Sequence, residues 1–315
     1  MTRLFGSVSL LSLCATTVLL GGCTAKSLKT FEAEPVVMNE DYAPGTNVTV
    51  QGIYGDIFIT EGDRSGVVVT TFKPFAYSGY DEEEQARDAL ENNLDLDVST
   101  VGDTTTISTD RHDTTNGLGS HITVELPSEF DGVLIVQNEG DGAINQGHID
   151  VSFVGNATTL NVLNHGLENC NILRGDDDEP SIVTNLTDTD VRCEADITVR
   201  GVRDNVYVRS VEPSFHSHMM VELIDISTGA SGGEIRGDNS SIEVRLPDAG
   251  DYSVAAVVDG PGAHINDLEP ASCESSSDDT SVDLTCGDGG PVYSVTAYDD
   301  DADDDEAAAI NLIVH

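Results

Sequence analysis

Ile122-Thr123-Val124-Glu125-Leu126-Pro127 returns 120 residues later as Ile242-Glu243-Val244-Arg245-Leu246-Pro247. In both copies apolar and polar residues alternate, the period-2 pattern of a strand with one face in a core, and a proline ends the run. The sequel is shared as well. Val133-Leu134-Ile135-Val136 leads to Gly140-Asp141-Gly142-Ala143-Ile144-Asn145, and Gly260-Pro261-Gly262-Ala263-His264-Ile265-Asn266 repeats that turn with one insertion. Gly233-Glu234-Ile235 is a shorter echo of Gly142-Ala143-Ile144. Reuse of one strand-and-turn unit is what a stacked array needs. Glycines supply its left-handed corners.

The rest of the chain keeps to this pattern. Short β-type runs include Asn47-Val48-Thr49-Val50, Asp56-Ile57-Phe58-Ile59, Val67-Val68-Val69-Thr70 and Leu160-Asn161-Val162-Leu163. Others are Ile197-Thr198-Val199-Arg200, Val206-Tyr207-Val208-Arg209 and Ile310-Asn311-Leu312-Ile313-Val314. Turn residues separate them at intervals of about 8–12 residues, which reads as all-β. The expected fold is an elongated β-solenoid or β-helix-like stack of short strands, with a pair of β-sandwiches as the alternative. One short helix interrupts it. In residues 81–94 the apolar side chains fall at Ala86, Ala89, Leu90 and Leu94, one narrow helical face behind an acidic first turn. Such a helix is suited to covering an end of the β structure.

Residues 1–22 read as a lipoprotein signal peptide. Arg3 is the single charge ahead of an apolar stretch from Leu4 to Leu20, which ends in Leu19-Leu20-Gly21-Gly22-Cys23. This pentapeptide resembles the lipobox of bacterial lipoproteins. That resemblance implies cleavage before Cys23 and acylation of its thiol and freed amine, including palmitate-type chains. Each buried CH₂ adds roughly 0.8 kcal/mol, so two or three chains hold far more firmly than one. Thr24, in place of an aspartate, points to the outer membrane. Residues 23–45 read as a lipidated tether, in which Lys26 and Lys29 can meet anionic headgroups, and residues 46–315 as the β-repeat domain. The echoes mark an internal duplication near 120–150 and 240–270.

The chain carries 57 acidic against 14 basic residues, a formal net charge of −43. That field repels nucleic acid and anionic membranes, so neither DNA nor RNA is expected as a partner. Carboxylate oxygens suit calcium. The places to look for weak cation binding are the run holding Asp176, Asp177 and Asp178 and the run holding Asp303, Asp304 and Asp305. Neither has EF-hand spacing, and no resident cofactor is expected.

Cys170, Cys193, Cys273 and Cys286 remain after the signal and the anchor. An even count in an exported chain favours disulfides, and no Cys-x-x-Cys occurs. Local pairing, Cys170 with Cys193 and Cys273 with Cys286, is the simplest of three arrangements.

Gly52-Ile53-Tyr54-Gly55-Asp56-Ile57-Phe58-Ile59, the helix at 81–94, the Leu-Pro strands and the Gly-x-Ile turns together resemble the adhesin-like family of bacterial β-strand-repeat proteins. The resemblance spans roughly residues 46–315 and implies a solenoid-like fold at the cell envelope without an established enzyme activity. This chain departs from the family in its acidity, its extra cysteines and a less regular middle at 155–240. A three-faced coil uses about as many residues as separate Cys170 from Cys193. The two are therefore expected on adjacent coils, either bonded or stacked as thiols.

There is no P-loop, dinucleotide fingerprint or His-Glu-x-x-His. Paired carboxylates of a glycosidase carry no information among so many acids. His216-Ser217-His218 is the one close histidine pair, with an exposed turn as its expected setting. Arg192, Arg200, Arg203 and Arg209 form a basic group, set to pair with nearby acids or to meet an anionic glycan or a partner's acidic surface. The expected function is a non-catalytic adhesive, scaffolding or binding surface, anchored at the envelope and facing an envelope protein or glycan. The alternatives are a carbohydrate-active enzyme on a β-helix and a calcium-stabilised surface module.

Overall fold

The structure, a computed structural model, describes residues 30–77, 82–112, 117–139, 147–165, 169–173, 185–211, 216–261, 263–267, 273–278, 280–298 and 307–314. Strands β1 (Phe31–Glu32) and β2 (Val36–Asp41) open the chain, followed by β3 (Asn47–Ile53), β4 (Ile57–Glu61) and β5 (Val67–Ala76). Helix α1 (Glu83–Asn93) leads into β6 (Leu94–Val101), β7 (Thr104–Arg111) and β8 (Leu118–Leu126). Five pairs follow: β9 (Leu134–Glu139) with β10 (Ile149–Val151), β11 (Thr159–Asn164) with β12 (Cys170–Ile172), β13 (Asp188–Cys193) with β14 (Ile197–Arg203), β15 (Asn205–Ser210) with β16 (Ser217–Asp225), and β17 (Gly232–Asp238) with β18 (Ser240–Leu246). The last strands are β19 (Tyr252–Asp259), β20 (His264–Asp267), β21 (Cys273–Ser277), β22 (Ser281–Cys286), β23 (Val292–Tyr298) and β24 (Ala309–Val314).

These strands form two sheets of 12. Sheet A runs β1-β5-β8-β4-β10-β12-β14-β16-β18-β24-β20, with β2 also on β5, and sheet B runs β21-β22-β19-β23-β17-β15-β13-β11-β9-β3-β7-β6. The central ladders are all parallel. Each coil of the stack is one strand in B followed by one in A. The coil therefore has two faces, not the three expected from the cysteine spacing.

The stack does not follow chain order at either end. The coil β3–β4 sits between β7–β8 and β9–β10, and the coil β23–β24 sits between β17–β18 and β19–β20. The chain thus skips over one coil twice, on leaving β8 and on leaving β18. These are the two sites of the repeated Leu-Pro stop, after Leu126 and Leu246.

Alternation explains the core. Odd and even side chains of a strand face opposite ways, and the inward set is apolar. Ile122, Ile57, Ile149, Cys170, Ile197, Met219, Ile242 and Ile310 make one continuous file along the inside of sheet A. Val50, Val136, Val162, Val191, Val208, Ile235 and Val295 do the same in sheet B. All are buried, and each large one stabilises by roughly 1.5–3 kcal/mol relative to exposure. Helix α1 covers the end of this core near β5 and β8. Its Ala86 and Leu90 pack with Ala76, Leu94 and Leu118 in a separate small cluster.

A second buried file is polar. At the B-to-A corner, Asn138, Asn164, Cys193 and Ser210 succeed one another on β9, β11, β13 and β15. Asn138 Nδ2 donates to the Gly55 carbonyl and Asn164 Nδ2 to that of Gly147, both at 3.0 Å. These amides satisfy turn carbonyls that would otherwise be buried without a partner.

Candidate functional site

The two disulfides are Cys170–Cys193 and Cys273–Cys286, with Cα–Cα separations of 6.4 and 4.2 Å. The first joins successive coils, but across the sheets: Cys170 belongs to the isoleucine file of A and Cys193 to the polar corner file of B. The second pins the hairpin β21–β22, where the two cysteines are directly opposed.

The four expected arginines do not make one patch. Arg200 lies on β14, where the register shifts between Val199 and Val202. Its side chain is buried against Glu222 of β16, with Nε 2.9 Å from Oε2. Arg203, at the end of β14, stands 4.0 Å from Asp225. Arg192 and Arg209 point outward from sheet B instead, and there Arg236 joins them. Arg192 is opposite Arg209 and Arg209 is opposite Arg236, so three guanidinium groups form one file across β13, β15 and β17. Each has an acidic neighbour. Arg192 pairs with Asp190 at 2.9 Å, Arg209 with Glu234 at 2.6 Å and Arg236 with Asp238 at 3.2 Å. The hydrogen bond from Arg192 to Asp190 holds the guanidinium above its usual pKa. Exposed Tyr207 lies two residues before Arg209, and exposed Tyr298 is opposite Asp238. Beyond Arg192 the file opens into a groove of about 150 Å³ lined by Gln137, Asn161, Leu163, Asp190 and Arg192.

Sheet A carries a different outer surface. The Gly52–Ile59 segment turns the corner from B to A, with Tyr54 at φ 47. A Cβ on Gly55 would overlap the Ser120 backbone carbonyl, so glycine there allows the close approach of β8. That approach places Asp56 between two histidines. Asp56 Oδ2 is 3.0 Å from His121 Nδ1, and Oδ1 is 3.0 Å from His148 Nδ1. Burial works against the charged carboxylate, but the bonds from His121 and His148 outweigh it and hold Asp56 well below the usual carboxylate range. His121 also packs at a tilt against Phe75 and His148 meets the edge of Phe58. A groove of about 320 Å³ opens beside Asp56, Phe58, Lys73 and His121. A second, of about 270 Å³, lies further along the same face by Asp196, His218, Ser241 and Glu243.

This cluster escaped the reading of the sequence. Its trace there is faint: His121-Ile122, Asp56-Ile57 and His148-Ile149 each set a polar residue before a core isoleucine, and strand register aligns the three. The close pair His216 and His218 meets edge to face, but His216 bonds through Nδ1 to Asn239 and through Nε2 to Ser241. Among the described residues no group of three or more His, Cys, Asp or Glu is arranged to hold a metal ion, and no helix is long and apolar enough to cross a membrane. Cys23, with its neighbours Lys26 and Lys29, and Asp176, Asp177, Asp178, Asp303, Asp304 and Asp305 lie outside the described residues.

No family model and no curated protein matches this chain. Among solved structures, the chain is similar to a candidate cell adhesion protein from Clostridium sporogenes at 9% identity and a TM-score of 0.35, covering 90% of this chain and 100% of the other. A candidate adhesin from Parabacteroides distasonis is 10% identical with a TM-score of 0.39, covering 88% and 97%. A candidate lipid-binding protein from the same species is 13% identical with a TM-score of 0.28, covering 89% and 96%. The architecture described above rests on the strand order and register of this chain itself.

Proposed function

We propose that this chain is a non-catalytic binding module of the bacterial envelope, held at the outer membrane by acyl chains on Cys23, that engages an envelope glycan or protein along its outer sheet faces. One observation carries the reading. The space between the sheets is filled by apolar files, while outward side chains stand in register from coil to coil on both faces. A ligand that repeats along the stack can therefore be met by repeated groups. Two disulfides fit an oxidising compartment outside the cytoplasm, and the strong negative charge keeps so extended a surface soluble.

The test is incubation of the full chain with envelope polysaccharides, reading retention on the protein and polymer length together. Retention with unchanged length is expected. Shortening of the polymer would overturn the reading in favour of a carbohydrate-active enzyme. Fractionation of cells carrying the chain or Cys23→Ala tests the anchor: the intact chain is expected with membranes and the variant in the soluble fraction. Equal distribution would remove the anchor from the proposal.

A further inference from the structure

The arginine file is the feature that structural roles explain least. Like charges directly opposite one another on neighbouring strands destabilise a sheet, and here three arginines are stacked that way. They come from a chain with only 14 basic residues against 57 acidic ones. Pairing with Asp190, Glu234 and Asp238 offsets part of that cost, but these are surface pairs, and such pairs contribute on the order of 0–1 kcal/mol each. The three side chains remain 51%, 44% and 49% exposed. If neutral packing were the purpose, an alternation of acid and base along the file would serve better than three bases in a row.

We infer that the outer face of sheet B between β13 and β17 is a binding site for an acidic polysaccharide, with Arg192, Arg209 and Arg236 each taking an acid group of successive sugars. This rests on the reading of the chain as a glycan- or protein-binding module and names its ligand class and face. Neighbouring strands are about 4.8 Å apart, a spacing comparable to the length of one pyranose residue. Where successive sugars turn their acid groups to the same side, a glycan running along the stack presents one carboxylate or sulfate to each arginine. An extended acidic peptide fits less well, because its same-face side chains recur only every ~6.6 Å. Duplex nucleic acid, with one charge per ~1.7 Å of axis, would meet the acidic body along its whole length, whereas a few acid sugars confront it with few charges. Exposed Tyr207, beside Arg209, offers an aromatic face for the apolar side of a sugar ring. The groove beyond Arg192 adds Gln137 and Asn161, which suit hydroxyl groups on the next residue.

Titration calorimetry of the full chain in detergent, at moderate salt, tests this with three probes: a uronic-acid hexasaccharide, its carboxyl-reduced neutral form, and a hexaglutamate peptide. The acidic sugar is expected to bind, and the neutral form to bind at least ~10-fold more weakly, as the loss of charge-assisted hydrogen bonds requires. Arg209→Gln should weaken the acidic sugar by about 10-fold or more, Arg209→Lys should restore part of the loss, and Glu234→Gln should strengthen binding by removing the competing carboxylate. Equal binding of the neutral sugar, or an unchanged affinity in Arg209→Gln, overturns the arginine site while leaving glycan binding by the module intact. Equal binding of hexaglutamate overturns the ligand class. Binding of none of the three overturns the inference, and the wider reading is then decided by the polysaccharide retention experiment. The carboxyl-reduced probe needs no variant, so a folding defect cannot mask the result.

Discussion

Cys170 and Cys193 are bonded between the two sheets, not along one ladder. The ladder neighbours of Cys170 are Ile149 and Ile197, and those of Cys193 are Asn164 and Ser210. The bond therefore staples the B-to-A corner of two successive coils in the irregular middle of the stack. Replacing both cysteines by serine is expected to cost about 2–4 kcal/mol, read as a lower urea midpoint. Peptide mapping without reductant should recover the 170–193 linkage; both thiols alkylated would refute it.

Arg200 and Glu222 make a buried ion pair whose two halves matter unequally. Removing one partner takes from the other its buried counter-charge, whereas removing both leaves no charge to compensate. Arg200→Met is expected to destabilise by about 3–5 kcal/mol, and the double change Arg200→Met with Glu222→Leu to restore most of that. A double variant as unstable as the single one would show that packing at the β14 bulge, and not charge, is the constraint.

Individual strands were legible because each inward file is made of residues at period 2. Ile57, Ile122, Ile197 and Ile242 announce it without any knowledge of their neighbours. Helix α1 was legible for the same reason at period 3.6, through Ala86 and Leu90. What spacing along the chain cannot encode is which strand lies beside which. Arg192, Arg200, Arg203 and Arg209 are close in sequence, yet a bulge turns Arg200 into a buried pair while register brings distant Arg236 to Arg209. Asp56, His121 and His148 are equally distant and meet only through the skip that sets β4 between β8 and β10. The Leu-Pro echo was visible as a repeat, but its meaning, a jump over one coil, exists only in the stack.

Asp56 gives stability a definite acid limb. Its carboxyl is held below its ordinary pKa by His121 and His148, so the ionised form is favoured in the folded state. That contribution is fully present above the unfolded value, near pH 4, and is lost as pH falls toward the lower folded value. The groups facing it are His121, His148 and, one strand further, Lys73. Asp56→Asn should therefore be less stable than the parent at pH 5, with the gap closing toward pH 2. A gap that stayed constant across this range would mean that the loss is one of shape and not of charge.

β24 is an interior part of the stack, although it comes last in chain order among the described strands. β24 lies between β18 and β20, with Ile242 opposite Ile310 and Val244 opposite Leu312. In a simple solenoid the last strand is an end coil, and its loss exposes one new edge. Here its loss would open sheet A between β18 and β20 and leave β23 in sheet B without its mate. Deleting residues 307–315 is thus expected to abolish cooperative folding, whereas Val101→Thr, at an exposed site on edge strand β6, should change stability by less than about 0.5 kcal/mol. The milder Leu312→Ala should cost about 2–5 kcal/mol, the usual range for a buried leucine. Urea unfolding of the three proteins, followed by circular dichroism, separates the cases. A truncated chain that kept a parental midpoint would show that β20 can close onto β18 directly, and that β24 is dispensable.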